Sequence, residues 1–192
     1  MKPLVLSDIE SIAEYEAKRN AVRKRIIALK NVRRVALGPR VSLVFENRET
    51  MKFQIQEMCR IERIVEDRLV QQEIDVYNDL LPAGMAIGAT LLIELVQEDD
   101  MPAILREVRG LEETVWLSFA GHEIRAEAEA GRSTEEKTST VHYLTFRFTP
   151  ETRQALSDAP EVVLSTRHDN YRYDTALSSQ TVASLVQDLV NA

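Results

Sequence analysis

The stretch Val32-Arg33-Arg34-Val35-Ala36-Leu37-Gly38-Pro39-Arg40-Val41-Ser42-Leu43-Val44-Phe45 is where the chain changes its period. Val32 to Leu37 is rich in β formers, Gly38-Pro39 is a turn signal, and Val41 to Phe45 is apolar, so residues 32–45 read as a hairpin. On both sides the pattern is helical. Upstream, Ser7-Asp8-Ile9-Glu10 offers a capping-box start and predicts a helix over 7–30, which the hairpin stops. Downstream, residues 49–80 contain good helix formers and no Pro or Gly before Pro82. They predict a second helix, about 45 Å long if unbroken at 1.5 Å per residue.

Beyond Pro82 the chain turns strand-rich. Strands are predicted at Ala89 to Val96, Thr114 to Phe119, Glu123 to Ala128, Thr140 to Phe148 and Val162 to His168. Short helices are predicted at 101–109, after Pro150, and at Ser178 to Val190. Glu129 to Lys137 is polar and reads as a mobile loop. The sum is an α+β chain: two long helices packed on a largely antiparallel sheet, closed by a short C-terminal helix. A length of 192 residues is that of one domain, 1–192, helix-rich over 1–84 and strand-rich over 85–192.

Composition narrows the function classes. Apolar residues at 44% and charged residues at 29% are ordinary globular usage. No apolar run approaches the roughly 18 residues a membrane span needs, and the first residues turn acidic before a signal-peptide core can form. A cytoplasmic, non-membrane location is expected. The net charge of −7 argues against a general nucleic-acid binder. That average hides an asymmetry, because Ala17 to Phe45 carries nine basic residues and no acidic one. Either this segment is neutralised inside the fold, or Lys24, Arg25, Arg33, Arg34 and Arg40 present a partner surface. A weaker reading places Arg33, Arg34 and Arg40 on a phosphate.

Helical wheels put ionised residues among apolar ones. In the first helix Ile9, Ile12, Tyr15, Val22, Ile26, Ile27 and Leu29 share an arc, with Arg19 near its centre and Arg23 and Lys30 beside it. In the second, Phe53, Met58, Ile61, Ile64, Val65 and Leu69 form an arc that includes Gln54 and Glu57. Charges on such faces need partners, so Glu57 is expected to meet Arg19 or Arg23, with Gln54 completing the hydrogen bonds. The result is either a structural ion pair or a polar pocket for a small anion. His142 alternates with Leu144, Phe146 and Phe148 and is expected on an apolar face, as a core histidine or a proton carrier.

Metal and cofactor motifs are absent. Neither long helix holds a histidine, a di-iron bundle would need Glu-x-x-His pairs, and there is no Cys-x-x-Cys, phosphate loop or nucleophile elbow. No metal and no cofactor is expected. Cys59 is the chain's one cysteine, and an inert helix thiol is its plain reading.

Three strings carry a resemblance: Phe45-Glu46-Asn47-Arg48-Glu49-Thr50, Gln54-Ile55-Gln56-Glu57-Met58-Cys59-Arg60-Ile61-Glu62 and Tyr77-Asn78-Asp79-Leu80-Leu81-Pro82. Ala89-Thr90-Leu91 with Glu94, and Lys137 to Leu144 with Phe146, continue it. Over nearly the whole chain the sequence resembles the bacterial family catalogued as domain of unknown function 3501. The resemblance implies a setting beside a rubrerythrin and an iron–sulfur oxidoreductase, hence redox chemistry or peroxide defence. It also falls on Arg19, Arg23, Gln54, Glu57, Arg60 and His142. Two functions follow as expectations. One is an accessory or binding protein for such a redox partner, with a homodimer as a further option. The other is an enzyme on a small anionic substrate, with Glu57 as acid/base, Arg19 and Arg60 as anion clamps and His142 as proton carrier.

Overall fold

The computed structural model describes residues 2–131, 133 and 138–190. Helix α1 spans Ile12–Arg33, and the hairpin follows as β1 (Arg34–Ala36) and β2 (Val41–Glu46). The cap is Ser11 rather than Ser7: its hydroxyl accepts the Glu14 N–H while the Glu14 carboxylate accepts the Ser11 N–H. The chain carries two such signals four residues apart. Ser7 is taken up in a 3₁₀ turn, Leu6–Asp8, and the Glu10 backbone is clamped in both directions by the Gln56 amide, which delays the helix by one turn.

The second long helix is broken. Helix α2 covers Arg48–Glu62 and α3 covers Asp67–Asn78. Between them Arg63 adopts a left-handed conformation at φ 56°, and the Ile64 N–H reaches back to the Cys59 carbonyl, the closure of a Schellman end. β-branched Ile64-Val65 is a poor helix continuation. Folding back lets α3 set Val70 and Ile74 against Met51, Ile55 and Cys59, with Leu4 completing a small core. The buried stripe of α2 is therefore Met51, Ile55 and Cys59, and the expected arc is displaced: Ile61 and Val65 are exposed, as is Ile27 on α1.

The remaining elements are β3 (Ala86–Ile93), α4 (Met101–Glu107), β4 (Val115–Phe119), β5 (His122–Arg125), β6 (Glu127–Ala128), β7 (Val141–Arg147), α5 (Pro150–Asp158), β8 (Val162–His168), β9 (Tyr171–Ala176) and α6 (Ser179–Val190). Two antiparallel sheets replace the single one expected, in the orders β1-β2-β3-β7-β6 and β5-β4-β8-β9. Strand β9 was not anticipated, because Asp169-Asn170 looks like the end of a strand rather than a tight turn into another. β3 begins three residues earlier than expected. The predicted 123–128 strand splits at buried Ala126, where the chain passes from one sheet to the other. Most of the polar loop expected at Glu129 to Lys137, namely Arg132 and residues 134–137, lies outside the described residues.

The sheets share one core, which includes Leu43, Phe45, Leu91, Leu117, Phe146 and Leu164, with Leu185 and Leu189 from α6. A second seam joins β9 to the first hairpin: the Thr175 hydroxyl donates to the Ala36 carbonyl and the Tyr171 phenol to that of Leu37. β2 is buried on both faces, with Leu43 and Phe45 in the core and Ser42, Val44 and Glu46 on the other side. Among the described residues no helix is long and apolar enough to cross a membrane.

Candidate functional site

Where α1 and α2 face each other, Tyr15, Arg19, Glu57 and Arg60 converge. The Glu57 carboxylate accepts two bonds from Arg19, Nε to Oε1 at 2.7 Å and Nη2 to Oε2 at 2.9 Å. It also accepts the Tyr15 phenol at 2.6 Å and Arg60 Nη2 at 3.1 Å, and Arg60 extends to Glu16 at 3.6 Å. Hydrogen bonding from Arg19, ahead of that from Tyr15 and Arg60, holds the Glu57 carboxyl down at about 2. Burial, and then Glu57 itself, push the Tyr15 phenol up, and the same carboxylate raises Arg19. A general acid or base working near neutrality needs a carboxyl that titrates there and reaches solvent. Glu57 fails the first condition, and its oxygens are taken up by Arg19, Arg60 and Tyr15; chemically the cluster is an electrostatic clasp between two helices.

The expected contact with Arg19 is formed, while two neighbours are placed elsewhere. Arg23 lies one turn along α1, exposed and without an ion pair among the described residues. Gln54 makes no hydrogen bond to Glu57 among the described residues, and its amide lies near the Tyr77 phenol instead. The buried amide of α2 is Gln56, and its work is to hold the Glu10 backbone. Cys59 is buried in the small core, where burial and the carboxylates of Glu73 and Glu62 push its thiol up, away from nucleophilic use.

His142 points inward as its alternation requires and is 1% exposed. Its Nε2 lies 2.9 Å from the Ser139 carbonyl and 2.9 Å from the Thr138 hydroxyl. A carbonyl only accepts, so Nε2 carries the hydrogen and the ring is held by its surroundings. On the other side Nδ1 is 3.7 Å from Glu112 Oε1, and the Ser133 hydroxyl donates to the same carboxylate oxygen. Glu112, in the 3₁₀ turn Leu111–Thr114, has no periodicity that announces its burial. No hydrogen bond or ion pair links this cluster with the Arg19–Glu57 clasp among the described residues, so they do not form the one Arg/Glu/His site the sequence suggested.

The basic segment is largely spent inside the fold. Arg33, expected on a partner surface, is fully buried instead. Its guanidinium donates to the carbonyls of Phe45 and Glu46, to the Ser184 hydroxyl and to Asp188 at 2.5 Å. Burial nonetheless keeps the Asp188 carboxyl above its ordinary range, with Arg33 opposing that shift. Arg25 pairs with Glu49, Arg34 with Glu94, Arg40 with Asp99 and Lys18 with Glu10. Arg23, Lys24 and Lys30 remain without an ion pair among the described residues.

Known proteins place this arrangement in a family. A crystal structure of a novel protein of unknown function from Burkholderia pseudomallei K96243 superposes with a TM-score of 0.90 at 31% identity, over 98% of this chain and 100% of that one. No curated protein matches the sequence. The family model for the protein of unknown function DUF3501 matches residues 3–189. With both the sequence pattern and the fold in agreement, the chain belongs to the DUF3501 family.

Proposed function

We propose that the protein is an accessory binding protein that docks an acidic redox partner, a rubrerythrin or an iron–sulfur oxidoreductase, through one flank of α1. The observation that carries this reading is the remainder left by internal pairing. Arg23, Ile27 and Lys30 follow one another at helical spacing, with Lys24 alongside, on the flank away from the Lys18 and Arg25 ion pairs. Ile27 stands 49% exposed among these three cations. On a chain of net charge −7, an unpaired basic stripe around an apolar side chain is suited to a complementary acidic surface, with charge steering the encounter. The hydrogen bonds that tie up both Glu57 oxygens support binding over turnover.

The test is a titration against purified rubrerythrin and against the iron–sulfur oxidoreductase, each oxidised and reduced, at about 20 mM and about 300 mM salt. Saturable binding at low salt that weakens at high salt, and that falls by about tenfold or more in Arg23→Glu with Lys24→Glu and Lys30→Glu, is expected. Absence of binding in every combination overturns the reading. So does an affinity that the triple reversal leaves unchanged.

A further inference from the structure

The basic segment has an acidic counterpart. Residues 69–105 carry seven acidic residues and not one lysine or arginine, the reverse of Ala17 to Phe45. Inside the fold the two segments partly neutralise each other, with Arg34 on Glu94 at 3.2 Å and Arg40 on Asp99 at 2.6 Å, while Asp100 caps α4. On α3 the carboxylates of Glu73, Asp75 and Asp79 have no ion pair among the described residues, and Asp75 accepts the Gln71 amide of its own helix at 2.8 Å. This helix docks through Val70 and Ile74, which turns its other side outward. There Val76 is 59% exposed, with Glu73 and Asp79 three residues to either side of it and Asp75 alongside.

The α3 stripe is the charge mirror of the one on α1. Three carboxylates surround exposed Val76, as three cations, Arg23, Lys24 and Lys30, surround exposed Ile27. Within one molecule α2 packs against both helices, and no ion pair joins the two stripes among the described residues. A second copy of the chain supplies each stripe with what it lacks. Like stripes brought together would set charges of one sign against each other, whereas unlike stripes neutralise three charges with three and cover Ile27 and Val76. One helix face on another is a small contact, of the kind that forms reversible assemblies.

We propose that the Ile27 stripe of one molecule seats on the Val76 stripe of a second copy, so that the protein self-associates through α1 and α3. The contact occupies the stripe assigned above to an acidic redox partner, so the two occupants exclude each other; the self-contact itself does not depend on that assignment. Sedimentation equilibrium at up to about 1 mM protein, in about 20 mM and about 300 mM salt, tests it. A net charge of −7 makes copies repel more strongly as salt is lowered, so a mass that rises above the monomer at low salt reports local complementarity, and this is the expected result. Two charge reversals are informative: Arg23→Glu with Lys24→Glu and Lys30→Glu, and Glu73→Lys with Asp75→Lys and Asp79→Lys. Each variant alone is expected to lose self-association by about tenfold or more, and the two mixed are expected to associate. Circular dichroism confirms that both fold, and Val76→Lys, a single exposed change, replaces the second variant if it does not. A wild type that stays monomeric at low salt overturns the proposal, whether or not it binds the redox partner. So does self-association that survives either reversal, or a mixture of folded variants that stays monomeric.

Discussion

Replacing Glu57 with Gln removes the negative charge between Arg19 and Arg60 while preserving side-chain shape. The new amide nitrogen must face either the guanidinium donors or the Tyr15 phenol, so at least one of the bonds to Arg19, Arg60 and Tyr15 is lost. A carboxyl held at about 2 instead of the ordinary 4.5 corresponds to about 3 kcal/mol at full strength. The Glu57 side chain is 14% exposed and that of Arg19 25%, so solvent screening lowers the electrostatic share to about 1.5–2 kcal/mol. Leaving the donors without an anion brings the expected loss to about 2–3 kcal/mol, a fall in Tm of about 5–10 °C for a chain of this size. Urea denaturation of both proteins across pH measures it. Because the folded carboxyl lies below its unfolded value, its contribution is complete above about pH 4.5 and is lost as pH falls toward 2. The gap between wild type and variant should therefore be constant from pH 7 to about 5 and narrow below that. A gap under about 1 kcal/mol at neutrality, or one that stays flat from pH 6 to 3, would refute the clasp.

Arg33→Ala should destabilise by about 3–5 kcal/mol in urea denaturation, because it leaves Asp188 buried without a cation; the double change Arg33→Met with Asp188→Leu should recover most of that loss. Gly38→Ala should cost about 1–3 kcal/mol, measured the same way, since φ is +77° and the new Cβ would stand 2.5 Å from the Tyr173 ring. Ser11→Ala removes the acceptor at the start of α1 and should lower stability by about 1 kcal/mol, with helix loss visible by circular dichroism only near the transition. Arg25→Ala, by contrast, should leave stability within about 0.5 kcal/mol, because its pair with Glu49 is exposed on both sides.

What sequence patterns disclosed, and what they hid, follows from the range of the forces involved. The first hairpin is set by local chemistry, a Gly-Pro turn between β-branched runs, and it was readable to within a residue or two. The meeting of Arg19 with Glu57 was readable because two helices flanking a short hairpin must face each other. The break at Arg63 was not, since a non-glycine residue enters the left-handed region only when tertiary packing rewards it, here by docking α3 against α2. Nor was the choice between Gln54 and Gln56, amides two residues apart and separated by about a 200° turn of the helix, once the buried stripe was displaced. Inward His142 followed from period-two alternation, whereas buried Glu112 sits in a 3₁₀ turn with no period to read. Glu46 shows the limit most clearly. Its alternation with Ser42 and Val44 places it opposite the core, and only the helical layer above turns that outer face into an interior.

The bonds of Arg33 also bear on how the chain is made. Its backbone partners, Phe45 and Glu46, leave the ribosome almost together with it, but Ser184 and Asp188 follow about 150 residues later. During all that interval α1 and the first hairpin can form locally, giving the guanidinium its two carbonyl acceptors while its charge has no anion. Closing the structure around it is a late, long-range event of the kind that slows folding. A nascent chain stalled before α6 therefore lacks the anion and the hydroxyl that receive this guanidinium in the finished protein.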